Sequence, residues 1–82
     1  MVKVNFFGVL RLDLGMSEVT GEGKNVAELL DNLKRTIEPL KELNLKNYVI
    51  FVNGKNISDL KLFRTKLSDG DEVTMLSPVS GG

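Results

Sequence analysis

The sequence predicts a small α+β domain in which one main helix packs against a mixed β-sheet of four to five strands. Two observations lead to this prediction. An apolar stripe at helical spacing follows Asn25, and short segments rich in β-branched and aromatic residues lie on both sides of it. The chain has 82 residues, a length that can bury one compact core. We therefore expect a single domain over residues 1–76, followed by a flexible tail over residues 77–82.

Two strands are predicted before the helix. Residues 2–7 alternate between apolar and polar side chains, a pattern typical of a half-buried strand. Residues 16–20 form a second candidate strand. Gly8 and Gly15 bound the segment between them, which we interpret as the wide loop of a hairpin.

The main helix is the clearest element. Asn25 is a favourable N-cap residue, and Glu28 stands three positions later, as in a capping box. Pro39 lacks the N–H that a continuing helix would use, so the helix should end before it. The predicted buried stripe consists of Val26, Leu29, Leu30, Leu33 and Ile37.

Three strands are predicted after the helix. Residues 48–52 are aromatic and β-branched, and the Asn53-Gly54 pair indicates a tight turn into a short strand at residues 55–57. A second turn at residues 68–71 precedes the last strand, residues 72–76. With the first and last strands paired in parallel, the order β-β-α-β-β-β is the β-grasp arrangement.

The composition excludes several classes of function. The 11 basic and 11 acidic residues cancel, which argues against a nucleic-acid binder and against a polybasic membrane anchor. The chain has no cysteine and no histidine, so thiolate chemistry is excluded and neither a metal site nor a bound cofactor is expected. No apolar run is long enough to span a bilayer. We therefore expect a cytoplasmic protein.

The Gly81-Gly82 ending is the main candidate functional feature. Glycine has no Cβ, so such an ending can enter a slot only as wide as the backbone. The carboxylate of Gly82 would be ionised and unreactive at neutral pH until another enzyme activated it. The alternative is a frayed end without function.

Several segments together resemble a known family. They are residues 4–11, the Val52-Asn53-Gly54 turn, residues 67–73 with their Asp-Gly-Asp-Glu-Val run, and the ending 77–82. In order and spacing they resemble the small subunit of molybdopterin synthase and its relatives among the ubiquitin-like sulfur carriers. Ser77 departs from that family, many of whose members carry proline at this position.

The resemblance implies a mechanism in which the chain is a cosubstrate without catalytic side chains of its own. A partner adenylating enzyme would use ATP to convert the Gly82 carboxylate to an acyl-adenylate. Sulfur would then displace AMP and leave a thiocarboxylate on Gly82. The tail would enter the large subunit of molybdopterin synthase and donate sulfur to a pterin precursor.

Strand alternation also predicts an exposed apolar patch. It directs Phe7 and Leu76 away from the core, close together if the first and last strands pair, and Phe51 is expected to join them. Such a patch suggests a protein interface, although Phe7 could instead pack under the first loop. Pro78, Val79 and Ser80 are expected to bind a partner's groove as an added strand.

Other functions stay open at this stage, and the first two of them share the same activation chemistry. One is a ubiquitin-like modifier joined through Gly82 to lysines of other proteins. Another is the sulfur carrier of thiamine thiazole synthesis. A third is an interaction module that uses only its sheet face.

Overall fold

The structure is a computed structural model that describes residues 1–77 of the chain. It contains five strands and two α-helices. In chain order they are β1 (Val2–Phe7), α1 (Gly8–Leu14), β2 (Glu18–Gly21), α2 (Val26–Thr36), β3 (Val49–Val52), β4 (Lys55–Asn56) and β5 (Glu72–Leu76). Four short 3₁₀ turns join these elements, at Glu38–Glu42, Leu45–Asn47, Ile57–Asp59 and Leu62–Arg64.

The strands form one mixed sheet in the order β2-β1-β5-β3-β4. The central pair, β1 and β5, is parallel, whereas β1–β2, β3–β5 and β3–β4 are antiparallel. The first and last strands of the chain thus pair at the centre of the sheet. The predicted β-grasp topology is confirmed.

Helix α2 begins and ends where the sequence predicts. The Asn25 side chain accepts a hydrogen bond from the Glu28 backbone N–H at 2.8 Å. The Glu28 carboxylate accepts from the N–H of Lys24 at 3.2 Å, one residue before the position that a standard capping box would use. The helix ends at Thr36, before Pro39.

The core lies between α2 and one face of the sheet. Four residues of the predicted stripe are buried, and Ile37 packs against them while partly exposed. The inward side chains of β1, β3 and β5 meet this stripe, so apolar burial is the main source of stability. The largest fully buried side chains are Phe6, Leu10, Leu29, Leu33, Leu40, Ile50 and Met75.

The segment between β1 and β2 differs from its prediction. It is helix α1 and not the wide loop that the flanking glycines predict. Leu10 and Leu14 stand four residues apart and are both buried, so one side of the helix closes the core beyond the end of β1. Gly15 ends α1 in the left-handed conformation, with φ at +67°.

The bounds of the shorter elements also shift slightly. Strand β2 begins at Glu18, two residues later than predicted, and ends at Gly21, one residue later than predicted. Strand β4 has only two residues because a 3₁₀ turn begins at Ile57. Within residues 1–77, none of the helices has the length and apolar character needed to cross a membrane.

Candidate functional site

The sheet face turned away from α2 carries side chains that are exposed or half-buried. Strand register orders these side chains into rows. Phe7 stands opposite Leu76, and Leu76 stands opposite Val49. In the next row Thr74 of β5 stands opposite Phe51 of β3. Residues paired across strands point to the same face, so these side chains share the open surface.

One end of the open face is apolar. We call the set Phe7, Val49, Phe51 and Leu76 the apolar patch. Phe7 is 45% exposed, and the other three are half-buried. Phe7 therefore faces solvent and does not pack under the segment that follows it. The sequence-based prediction contained three of the four residues and omitted Val49, which the alternation with Ile50 directs to the same face.

The opposite end of the same face is polar. The Lys3 ammonium lies 3.6 Å from the Glu18 carboxylate and 3.8 Å from the Glu72 carboxylate. The Asn5 side-chain amide donates a hydrogen bond to Glu72 at 2.7 Å. These exposed pairs contribute little stability, but they give the apolar patch a clear polar boundary.

Ser77 anchors the end of β5 beside the patch. It directly follows Leu76, and its hydroxyl accepts a hydrogen bond from the backbone N–H of Leu10 at 3.0 Å. Leu10 is in the first turn of α1, whose N-cap residue Phe7 has no side chain able to accept this bond. This hydrogen bond therefore fixes the position of Ser77, one residue after the partner of Phe7 in the sheet.

The remaining predicted site residues lie outside the described part of the chain. They are Pro78, Val79, Ser80, Gly81 and Gly82. The structure brings Phe7, Phe51 and Leu76 together at the end of the sheet from which this segment continues. In residues 1–77 no group of three or more carboxylates is placed to hold a metal ion.

The comparisons with known proteins agree with this architecture. The model of the ThiS family matches residues 4–82. The chain belongs to the ThiS family. No curated protein matches the sequence.

Three solved structures illustrate the likeness of this ThiS-family chain. Small archaeal modifier protein 1 from Methanosarcina acetivorans is 34% identical with a TM-score of 0.83, over 99% of this chain and 95% of that one. CysO in the BexX/CysO complex of Amycolatopsis orientalis is 25% identical with a TM-score of 0.81, over 100% of both chains. A chain of the complex of subunits 1 and 2 of molybdopterin-converting factor from Helicobacter pylori 26695 is 30% identical with a TM-score of 0.68, over 99% of this chain and 97% of that one.

These neighbours are ubiquitin-like sulfur carriers and modifiers. Two of the three structures are complexes with a partner subunit. The family and the fold therefore place this chain among the ubiquitin-like carriers and modifiers, a group whose members work in more than one pathway.

Proposed function

We propose that the chain is the sulfur carrier of molybdopterin synthesis, working as the small subunit and cosubstrate of a molybdopterin synthase in the cytoplasm. The observation that carries the proposal is the apolar patch, which lies at the end of the sheet where Ser77 follows the last residue of β5. The resemblance of residues 4–11, 52–54, 67–73 and 77–82 to that family supports it. So does the 30% identity to a chain of the Helicobacter pylori molybdopterin-converting factor complex.

The proposed chemistry takes place at the carboxylate of Gly82. An ionised carboxylate resists nucleophiles, so a partner adenylating enzyme first joins it to AMP from ATP and releases pyrophosphate. Sulfur supplied by another protein then attacks the acyl carbon, AMP leaves, and a thiocarboxylate remains. In the large subunit that sulfur bonds to a carbon of the pterin precursor and displaces an oxygen substituent, and water then hydrolyses the acyl C–S bond, which returns the carboxylate. In this proposal ATP is bound by the adenylating partner, and the chain itself holds no cofactor.

The apolar patch supplies the docking energy in this proposal. Aromatic side chains at the centre of an interface commonly account for much of the binding energy. Phe7 is the most exposed member of the patch and stands directly opposite Leu76, one residue before Ser77. A large subunit that covers the patch would therefore receive Gly81 and Gly82 at a defined distance, with Pro78, Val79 and Ser80 lying in its groove.

A modifier function is the second candidate. It is favoured by the 34% identity to small archaeal modifier protein 1, which exceeds the identity to the molybdopterin-converting factor chain. In that case the activated Gly82 would form an isopeptide bond with a lysine of another protein. Sulfur transfer for thiazole synthesis is a third candidate that shares the first two steps.

Mass spectrometry of the protein from its native host separates these functions. The molybdopterin proposal predicts exchange of one oxygen for sulfur at Gly82 in the intact chain. A modifier would instead leave a remnant on other proteins' lysines, and trypsin would release it as residues 67–82 because Lys66 is the last lysine. If neither the thiocarboxylate nor the lysine remnant were found, all three functions would be contradicted.

Two host strains complete the test. Deletion of Gly82 should abolish the mass change and molybdopterin production while the purified variant unfolds like the wild type. A strain lacking the whole gene should lose molybdopterin but not require thiamine. A thiamine requirement with normal molybdopterin would replace the proposal by the thiazole function.

A further inference from the structure

A second surface stands out for its charge. It is an open concavity of about 1000 Å³, which we call the basic groove. Four cations line it together with two leucines and two small polar residues. The lining residues are Lys24, Lys61, Arg64, Lys66, Leu60, Leu62, Asn25 and Ser58.

The fold gathers these cations from distant positions in the sequence. Residues 24–26 run beside residues 65–67 as a short antiparallel bridge between Asn25 and Lys66. The N–H of Leu67 donates to the carbonyl of Lys24 at 2.9 Å, which locks the two segments together. Lys24 and Lys66 therefore line the same groove although they are far apart in the chain, and the composition alone gave no sign of it.

A second set of hydrogen bonds positions the segment that carries Lys61 and Arg64. The buried hydroxyl of Thr65 accepts a hydrogen bond from the N–H of Lys61 at 3.0 Å, and the N–H of Val26 donates to the Thr65 carbonyl at 3.0 Å. Residues 61–65 are thus tied to the start of α2. Lys61 and Arg64 are presented from a structured turn, so part of the entropy of ordering them has already been lost in folding.

The groove has one sign of charge in a chain whose net charge is zero. Its four cations are exposed, and none is in an ion pair within residues 1–77. No aspartate or glutamate of the described residues lines it. Because four cations and no acid of the described residues line the groove, we infer that its surface potential is positive and attracts anions.

Two exposed leucines indicate which anion fits. Leu60 is 37% exposed and Leu62 is 53% exposed. Leu62 also has a positive φ of 53°, a conformation that disfavours a branched residue. Apolar side chains add nothing to phosphate binding, and among residues 1–77 no exposed aromatic ring lines the groove for base stacking. Leucines between cations are suited to a peptide with both acidic and apolar side chains.

The basic groove lies away from the apolar patch. Lys24 also borders a small concavity with Met1, Val2 and Asp69, near the start of β1. The patch is at the other end, because β5 advances about 13 Å between Glu72 and Leu76. One partner can therefore cover the patch while another occupies the groove.

We propose that the basic groove binds an acidic segment of a partner protein, with apolar side chains of that segment contacting Leu60 and Leu62. The interaction does not involve Gly82. It is tested on the purified full chain without any activating enzyme, so its outcome is independent of the sulfur-carrier proposal.

The probe is a short synthetic glutamate-rich peptide that carries two leucines. Titration into the ¹⁵N-labelled chain, followed by amide chemical shifts, should perturb residues 24–26 and 58–66 and leave 7, 49 and 76 unchanged. Raising the salt from about 50 mM to about 300 mM should weaken binding several-fold, since the Debye length shortens. A peptide of glutamate alone should bind more weakly than the leucine-containing one.

Charge reversal gives the decisive comparison. Lys61→Glu with Arg64→Glu should lower the peptide affinity about ten-fold or more, because two attractive contacts become repulsive. The matched control is Lys34→Glu with Arg35→Glu, which makes the same change in net charge near the end of α2. It should change the affinity less than two-fold. The dispersed amide spectrum of each variant verifies that it folds.

Three outcomes would overturn the proposal. One is an equal loss of affinity in both double variants, which would show only a general charge effect. Another is tighter binding of a single-stranded oligothymidylate than of the peptide, which would assign the groove to nucleic acid. The third is absence of any shift at residues 58–66 at low salt.

Discussion

The hydroxyl of Ser77 lies 3.0 Å from the backbone nitrogen of Leu10 and accepts its hydrogen bond. This contact joins residues 67 positions apart in the sequence and connects the end of β5 to the first turn of α1. The first N–H groups of a helix have no partner within the helix. Ser77 satisfies one of them from outside, as an N-cap side chain usually does. The bond also fixes the position of Ser77 beside α1.

Replacing Ser77 by alanine should therefore destabilise the domain by about 1 kcal/mol, the usual effect of losing a capping oxygen. Urea unfolding followed by circular dichroism measures this loss. Amide hydrogen exchange should accelerate at Leu10 and at its neighbours in α1, while exchange in α2 should change only through the global stability.

Ser77→Thr is the matched control, because threonine retains the hydroxyl. It should recover most of the stability and the protection of Leu10. Equal exchange rates at Leu10 in wild type and Ser77→Ala would show that the hydrogen bond does not hold α1 in solution.

The Phe7→Asp variant tests the apolar patch. Phe7 is 45% exposed, so the change should alter the free energy of unfolding by about 1 kcal/mol or less. Binding to the large subunit of molybdopterin synthase should weaken by about 2 kcal/mol or more, since an aromatic anchor is replaced by a charge. Isothermal titration calorimetry gives the affinity, and thermal unfolding gives the stability.

Thr20→Asp is the charge-matched control for Phe7→Asp. Thr20 stands opposite Lys3 on the same sheet face, at its polar end. This variant should retain wild-type affinity. An equal loss in both variants would indicate a dependence on net charge, and an unfolded Phe7→Asp would mean that Phe7 belongs to the core.

The strands and α2 could be predicted because their signals are local. Alternation over residues 2–7 set the inward and outward faces of β1, and Asn25 with Pro39 bounded the helix. The order of the elements then left few ways to bury one apolar face of the sheet. Parallel pairing of β1 with β5 followed, and with it the register that sets Phe7 opposite Leu76.

Helix α1 could not be predicted because its sequence carries two periods at once. Residues 10–14 alternate like a strand, since Leu12 is apolar between two charged neighbours. In the structure Leu10 and Leu14 are buried while Leu12 is exposed, which is the helical spacing. The helix is favoured over the strand because Leu10 and Leu14 can then pack against the core beyond the end of β1. That core exists only once the fold is assembled. The Ser77 contact with Leu10 depends on the same assembly.

The glycine before α2 provides a test of close packing. A Cβ at Gly23 would lie 2.5 Å from the nitrogen and 2.7 Å from the Cα of Leu29. Backbone atoms of a helix cannot rotate away, so Gly23→Ala should displace α2 and cost about 2 kcal/mol or more of stability. Urea unfolding measures this difference.

Gly21→Ala is the comparison for Gly23→Ala. Its Cβ would lie 2.9 Å from a terminal methyl of Leu29 and 3.1 Å from one of Leu33, both on side chains that can change rotamer. This variant should lose less stability than Gly23→Ala. The reverse order would mean that α2 does not approach residue 23 as closely as described.

Thr65 links the basic groove to the stability of the domain. Its hydroxyl is buried and accepts from the N–H of Lys61 at 3.0 Å. Thr65→Val keeps the shape but leaves that N–H without its acceptor, so the free energy of unfolding should fall by about 1 kcal/mol. Thr65→Ser, which retains the hydroxyl, should keep the hydrogen exchange of Lys61 near the wild-type rate. If Thr65→Ser exchanged Lys61 fast while Thr65→Val exchanged it at the wild-type rate, the methyl group would be holding the turn by packing, and Lys61 and Arg64 would not depend on the hydroxyl for their placement.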